Sequence, residues 1–194
     1  MSRMSLKRYK SNDNLKVMWV ACEGSVTEPR YLDGIRSHFR PRGVNIQIVP
    51  RDSSSPMAVL SAIIKTQKSR DSNKDDLFWI IIDRDKWTSQ MLSQVARQCY
   101  DSGIGLALSN PCFEFWQLLH YQDPAQEYNN CPSLKTLVAQ LRVAKDKDEY
   151  TNIDGLGQAI TRARNLDSGD GRWLNVNGSR MYLLIEEIIS LSKD

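Results

Sequence analysis

The strict alternation of strand and helix patterns over the first 120 residues constrains the fold of this chain more than any other feature. Short apolar or alternating runs favour β-strands at 15–22, 44–50, 77–83 and 104–109. Each run is followed by apolar residues at helical spacing, at 27–40, 56–70, 88–100 and 111–121. Four βα units in series predict an α/β fold, with a mostly parallel four-stranded sheet and helices on both faces.

The pattern changes after Tyr121. Further amphipathic helices are predicted at 133–142, 155–166 and 179–191, separated by polar or charged segments. We therefore predict a core domain at 15–122 and a helical extension at 123–194 that packs on it. Residues 1–14 are polar and basic, which predicts a flexible tail.

Composition narrows the class of protein. The 194 residues suffice for one domain, and 41% apolar and 25% charged residues are typical of a soluble globular protein. No segment has the roughly 18 to 20 apolar residues that cross a bilayer, and the N-terminus lacks an apolar signal core, so we expect a cytoplasmic protein. The four cysteines lack CxxC spacing, which indicates reduced thiols. A net charge of +3 permits nucleic-acid binding without indicating it.

Carboxylates follow three of the four predicted strands. Glu23 follows the first, Asp83 and Asp85 end the third, and Glu114 lies in the helix after the fourth. Because parallel α/β sheets bind ligands at the carboxyl ends of their strands, these acids are expected at one edge. Crowded carboxylates raise each other's pKa unless a cation neutralises them, and Mg²⁺ and Mn²⁺ prefer oxygen ligands. We predict a metal site of Glu23, Asp83 and Asp85, with Glu114 as a further catalytic residue. The alternative is that these acids only cap helices or face solvent.

Two neighbours of Glu23 extend this hypothesis. Gly24 allows an unusual backbone angle or the close approach of a ligand. Ser25 and Glu28 have the spacing of a capping box, so Glu28 is either a helix cap or a supporting ligand.

Further candidate residues lie around the fourth strand and beside the aspartates. Asn110 is predicted to cap the helix that begins at Pro111. His120 shares a helix face with Trp116 and is either a hydrogen-bonded packing residue or a ligand. A phosphate-contacting role or a solvated surface is open to the basic residues Arg84, Lys86, Lys145, Lys147, Arg162 and Arg164. The sequence contains no P-loop, GxGxxG, GxSxG or HExxH motif.

Three blocks together resemble the RloB-like family. CEGSVTEPRYL at 22–32, DRD at 83–85 and SNPCFEFWQLLHY at 109–121 match, in order, the family pattern CEG-x-x-TE, D-x-D and SNP-x-FE-x-W-x-x-x-H. ARNL at 163–166 also matches. The chain departs from the family where Tyr150 is followed by Thr-Asn instead of a nearby lysine, and where NGSR at 177–180 replaces NPST.

The resemblance implies a TOPRIM-like (Rossmann-like) core with Mg²⁺ between the glutamate and the D-x-D motif. It further implies a nuclease of a prokaryotic phage-defence or abortive-infection system, acting on DNA or RNA beside an AAA/ABC-type ATPase partner. Self-association is left open. One alternative is a non-catalytic subunit that docks on its ATPase through the helix around Trp116 and the last helix. Another is a nucleotide sensor that binds phosphate at the Gly24 turn.

Overall fold

The computed structural model describes residues 16–41, 44–69, 71–144, 150–169, 171, 173–174 and 176–192. The expected N-terminal tail at 1–14 and two of the candidate basic residues, Lys145 and Lys147, lie outside the described residues.

The described strands form one sheet in the order β2-β1-β3-β4-β5. The first four are parallel neighbours, and β5 pairs antiparallel with β4. They are β1 (Lys16–Cys22), β2 (Val44–Ile48), β3 (Leu77–Asp83), β4 (Gly105–Asn110) and β5 (Gly178–Ser179). The predicted α/β class and mostly parallel sheet are confirmed.

The predicted count of four strands is wrong. Ser179 pairs with Ser109 and Gly178 with Asn110, so the C-terminal part adds a fifth strand and is not only helical. A two-residue strand has too few positions to show an alternating pattern, so it left no signal in the sequence.

Capping residues fix the start or the end of several helices. Ser55 and Thr88 cap the second and third helices by accepting hydrogen bonds from Ala58 and Met91 N–H. Gly103, in the left-handed conformation, ends the third. No described helix is long and apolar enough to cross a membrane. The bounds are α1 (Thr27–Phe39), α2 (Pro56–Gln67), α3 (Ser89–Ser102), α4 (Phe113–Leu119), α5 (Cys131–Ala144), α6 (Leu156–Leu166) and α7 (Met181–Ser190).

Helices cover both faces of the sheet. Met18, Val20 and Cys22 belong to a core shared with α1, α4, α5, α6 and α7. The alternate residues of β1, such as Trp19, belong to a second core shared with α2 and α3. This two-sided burial explains why β1 and β3 are almost entirely apolar, as parallel strands with covered faces usually are.

The strand order sets the position of the functional edge. In the strand order, β2 lies next to β1 towards one edge of the sheet, and β3 lies next to β1 towards the other edge. The connections therefore diverge beyond the carboxyl ends of β1 and β3, and such a switch point is where open α/β sheets bind ligands. Glu23 and Asp83 lie at this point.

Candidate functional site

A direct hydrogen bond joins Glu23 to the end of β3. Cys22 is the register partner of Ile81, which brings Glu23 beside the last residues of β3. Its Oε2 accepts the backbone N–H of Asp83 at 3.0 Å, and its Oε1 accepts the indole N–H of Trp87 at 2.9 Å. The Glu23 carboxylate is therefore fixed against the turn that follows β3.

One carboxylate oxygen of Asp83, Oδ1, is buried and accepts no hydrogen bond from the described residues. Burial, together with the negative charges of Glu28, Glu23 and Glu114, raises the pKa of Asp83 well above its usual range. This side chain therefore favours either a proton or a cation beside it.

Glu28 is buried beside the same loop and does not cap α1 with Ser25. The N-cap position is held by Val26, whose side chain has no acceptor, so the capping-box alternative for Glu28 does not hold. The Oε1 of Glu28 instead accepts the backbone N–H of Gly24 at 2.8 Å. Burial raises the pKa of Glu28, and the nearby Glu114 carboxylate raises it further.

Gly24 is needed because the Glu28 carboxylate approaches it so closely. A Cβ added at Gly24 would lie 2.0 Å from Glu28 Oε2. Its backbone is outside the left-handed region, so close approach, and not an unusual angle, explains the glycine. The group that approaches it is a side chain of the chain itself.

Asp85 and Glu114 complete the group of acids. Asp85 lies in the turn after β3 with a φ of 30°, a costly conformation for a residue with a Cβ, and its N–H donates to the Pro111 carbonyl at 2.8 Å. Its Oδ1 lies 3.9 Å from the Cys131 thiol. Glu114 is buried on α4 and forms an ion pair of 3.7 Å with Lys135. Glu23, Glu28, Asp83, Asp85 and Glu114, called the carboxylate site below, therefore converge on one edge.

The donor atoms of the carboxylate site suit a hard divalent cation, but its side chains are not arranged around one point. Oxygen donors with pKa values raised by burial, and the unpartnered Oδ1 of Asp83, favour a cation. Within the described residues, however, no three His, Cys, Asp or Glu side chains are arranged as ligands of one metal ion. Ligation by Glu23, Asp83 and Asp85 would therefore require rotation of at least one carboxylate.

Sequence comparison agrees with the blocks that surround this site. The model of the RloB-like protein family matches residues 18–188, which is most of the chain. The chain belongs to the RloB-like family. Neither a curated protein nor a solved structure matches it significantly.

Two cations of this RloB-like chain were not predicted from the sequence. The guanidinium of Arg51 donates to the backbone carbonyls of Cys22 and Glu23, and its positive charge partly offsets the rise in the pKa of Glu28. Arg51 follows β2, so the strand-end rule applied to that strand would have found it. Lys135 approaches Glu114 from α5, and no local pattern links them.

The candidate basic residues within the described part of the chain contact other side chains. The Arg84 guanidinium lies 5.8 Å from the ring centre of Trp173, and Lys86 Nζ lies 5.2 Å from that of Trp87. Arg162 pairs with Asp123 at 3.3 Å, and Arg164 pairs with Glu186.

Asn110 ends β4 and does not cap α4. Its side-chain amide donates to the Val176 carbonyl at 2.8 Å, so it holds the segment before β5. The helix starts two residues beyond the predicted Pro111, with Cys112 at the N-cap. The predicted cap is therefore wrong, because the amide binds the segment before β5 instead of the first turn of α4.

His120 is a hydrogen-bonded packing residue. Nε2 lies 3.3 Å from the Tyr31 hydroxyl and Nδ1 lies 2.8 Å from the Asn152 carbonyl, so both ring nitrogens have partners. The ring packs against Trp116 at 5.1 Å between centroids. Burial lowers the pKa of His120 to about 4.

The two helices predicted as docking surfaces face the interior. All seven residues of α4 are buried, including Trp116. The apolar residues Met181, Leu184, Ile185 and Ile188 of α7 are fully buried as well. These side chains are therefore used in the core, while Leu183 of α7 is exposed.

Proposed function

We propose that this protein is a metal-dependent nuclease that hydrolyses phosphodiester bonds of DNA or RNA. The observation that carries the proposal is the desolvated carboxylate site at the switch point of the sheet. Burial raises the pKa of Glu23, Glu28 and Asp83 together, which destabilises the chain unless protons or a cation neutralise them. Mg²⁺ or Mn²⁺ matches these oxygen donors.

The residues take separate roles in this proposal. Glu23, Asp83 and Asp85 hold the ion, which when bound polarises the phosphate and lowers the pKa of water. Glu114 and Glu28 orient the attacking water. Lys135, next to Glu114, offsets negative charge that develops on the phosphate. It has better access than Arg84, whose guanidinium lies over Trp173.

The cellular setting of the proposal comes from the family. RloB-like sequences imply a cytoplasmic effector of phage defence or abortive infection with a TOPRIM-like core and an AAA/ABC-type ATPase partner. The alternative is a non-catalytic subunit that docks on its ATPase; α4 and the inner side of α7 are buried in this chain, and Leu183 of α7 is exposed.

Metal binding is the first test, because it needs no knowledge of substrate or partner. We expect Mn²⁺ binding by calorimetry in the wild type and at least about 100-fold weaker binding in Asp83→Asn and Asp85→Asn. Asp101→Asn is the matched control, because Asp101 is an exposed acid on α3 that pairs with Arg97. Absence of binding to folded wild-type protein would favour the non-catalytic alternative.

A cleavage assay with the same variants is the second test. Single- and double-stranded DNA and RNA are incubated with Mg²⁺ or Mn²⁺. We expect cleavage by the wild type and Asp101→Asn and none by the two site variants, whose far-UV circular dichroism stays unchanged. Full cleavage by both site variants would overturn the proposed roles.

A further inference from the structure

Two arginines and a tyrosine form a second cluster on the surface beside the carboxylate site. The guanidinium carbons of Arg30 and Arg142 lie 5.0 and 5.3 Å from the ring centre of Tyr150. Arg30 also donates to the Tyr150 hydroxyl at 3.1 Å. We propose that this Arg–Tyr cluster (Arg30, Arg142 and Tyr150) binds the phosphate backbone of the nucleic-acid strand that flanks the bond cut at the carboxylate site. The inference rests on the proposed function.

Three helices connect the cluster to the carboxylate site. On α1, Arg30 follows Glu28 by two residues, and on α5, Arg142 follows Lys135, the partner of Glu114, by seven. Seven residues are about two helical turns, so Arg142 lies on the same side of α5 as Lys135, about 10 Å further along the axis. Arg30 and Glu28, two residues apart, instead lie on opposite sides of α1. In a B-form duplex the phosphates of one strand rise by about 3.4 Å, so the step along α5 corresponds to about three nucleotides.

Gln117 makes the third connection, from α4. It follows Glu114 by three residues, its amide N–H donates to the Tyr150 carbonyl at 3.2 Å, and its carbonyl accepts from Arg142 at 3.3 Å. The helix that carries a carboxylate of the site therefore also positions the cluster.

The chemistry of the cluster favours an anion. Among the described residues, no carboxylate forms an ion pair with Arg30 or Arg142, and the two guanidiniums share one ring. Guanidinium forks bind phosphate oxygens in pairs, and they stack on aromatic rings without losing those donors. Arg30 and Tyr150 also line a cleft of about 630 Å³. The one acid of its lining, Asp33, is held by Arg36 at 3.0 Å.

A purely structural role is the competing explanation. In that case the cluster only holds the segment at 150–153 against α1 and α4, and the arginines contribute to stability but not to nucleic-acid binding. The two explanations differ in the salt dependence of binding. Each phosphate contact to a single strand contributes about 0.7 to the slope of log K against log salt concentration.

The test measures binding without cleavage. A fluorescein-labelled single strand of about 12 nucleotides, as DNA and as RNA, is titrated with protein in EDTA at several salt concentrations and followed by anisotropy. We expect Arg30→Ala/Arg142→Ala to lower the slope by about 1.4 and the affinity at least tenfold. Lys65→Ala/Arg97→Ala removes the same charge from exposed positions on α2 and α3 and should change the slope by less than half as much.

Arg30→Lys/Arg142→Lys separates binding from folding, because it keeps the charge and loses the fork. We expect it to retain most of the slope, with reduced affinity. An unchanged slope and affinity in the alanine pair, or a wild type that binds neither strand, would overturn the inference. A wild type that binds through the cluster but cleaves nothing with Mn²⁺ would instead overturn the proposed nuclease function alone.

Discussion

Glu23 Oε2 accepts a hydrogen bond from the backbone N–H of Asp83 at 3.0 Å. The bond runs from the end of β1 to the end of β3, so the backbone that carries the second acid fixes the first. Trp87 provides the other donor, to Oε1 of the same carboxylate. Both bonds favour the charged form of Glu23 and oppose the burial that raises its pKa. The readiness of Glu23 to bind a cation therefore depends on one donor from the last residue of β3 and one from the turn after it.

Removal of the indole donor should weaken metal binding. In Trp87→Phe, Glu23 loses the 2.9 Å hydrogen bond that lowers its pKa, so protons compete more strongly with the metal. We expect Mn²⁺ affinity to fall about threefold to tenfold, and the pH of half-maximal binding to rise. Calorimetry or Mn²⁺ spectroscopy between about pH 6 and 8.5 measures both.

Trp79→Phe is the matched control for Trp87→Phe. The indole of Trp79 donates to Glu187 on α7, outside the carboxylate site. We expect this variant to keep wild-type metal affinity. Equal losses in both variants would show that the effect comes from general destabilisation and not from the Glu23 contact.

Removal of the charge at Asp83 should stabilise the metal-free protein. The folded-state pKa of Asp83 is raised, so its contribution to stability is present at low pH and is lost as pH rises through that pKa. At about pH 8, we expect Asp83→Asn to raise the free energy of unfolding by about 1 to 3 kcal/mol, a gain that shrinks on acidification. Urea unfolding at several pH values, with EDTA present, measures it.

Asp76→Asn should have the opposite effect. Asp76 is also buried, but its carboxylate accepts the backbone N–H groups of Val17 and Asn73 and the indole N–H of Trp19. An asparagine NH₂ cannot accept these bonds, so we expect a loss of about 1 to 3 kcal/mol. If both variants change stability in the same direction, the contrast between a functional and a structural acid is wrong.

The sequence predicted the features that repeat or lie at strand ends. The βα alternation was enough for the parallel sheet, and the strand-end rule was enough to bring Glu23 and Asp83 together. Both inferences rest on local periodicity and on the geometry common to parallel sheets.

The predictions that the structure overturned failed for physical reasons. Asn110 and Ser25 have side chains suited to helix caps. The Asn110 amide instead binds the segment before β5, and the Glu28 carboxylate accepts the backbone N–H of Gly24. Lys135 contacts Glu114 across 21 residues of chain. Such contacts depend on tertiary packing, which no local pattern encodes.

A methyl group at Gly24 should displace Glu28. Because the added Cβ would lie 2.0 Å from Glu28 Oε2, we expect Gly24→Ala to move the carboxylate and to reduce metal-dependent cleavage at least about tenfold. Gly24→Ala/Glu28→Asp shortens the displaced side chain and should recover part of the loss. Gly157→Ala is the control, because a Cβ there meets nothing within 4 Å. A fully active Gly24→Ala would show that the position of Glu28 is not required.

The last prediction concerns the pH dependence of stability. The folded-state pKa of His120 is lowered to about 4 by burial, so the folded chain binds this proton less readily than the unfolded chain, whose histidines titrate near about 6.5. Its contribution to stability is therefore present above about pH 6.5 and is lost as pH falls towards 4. The expected loss is about 3 kcal/mol, from about 1.4 kcal/mol per pH unit.

Difference measurements isolate this contribution from Glu23, Glu28 and Asp83, whose raised pKa values act in the opposite direction. The free energy of unfolding of His120→Gln is subtracted from that of the wild type between about pH 4 and 8. We expect the difference to shrink on acidification. His38→Gln is the control variant, because His38, the other histidine, is exposed on α1 and lies outside the His120 contacts. A pH-independent difference for His120→Gln would mean that its imidazole titrates normally and that the Tyr31 and Asn152 contacts do not hold it neutral.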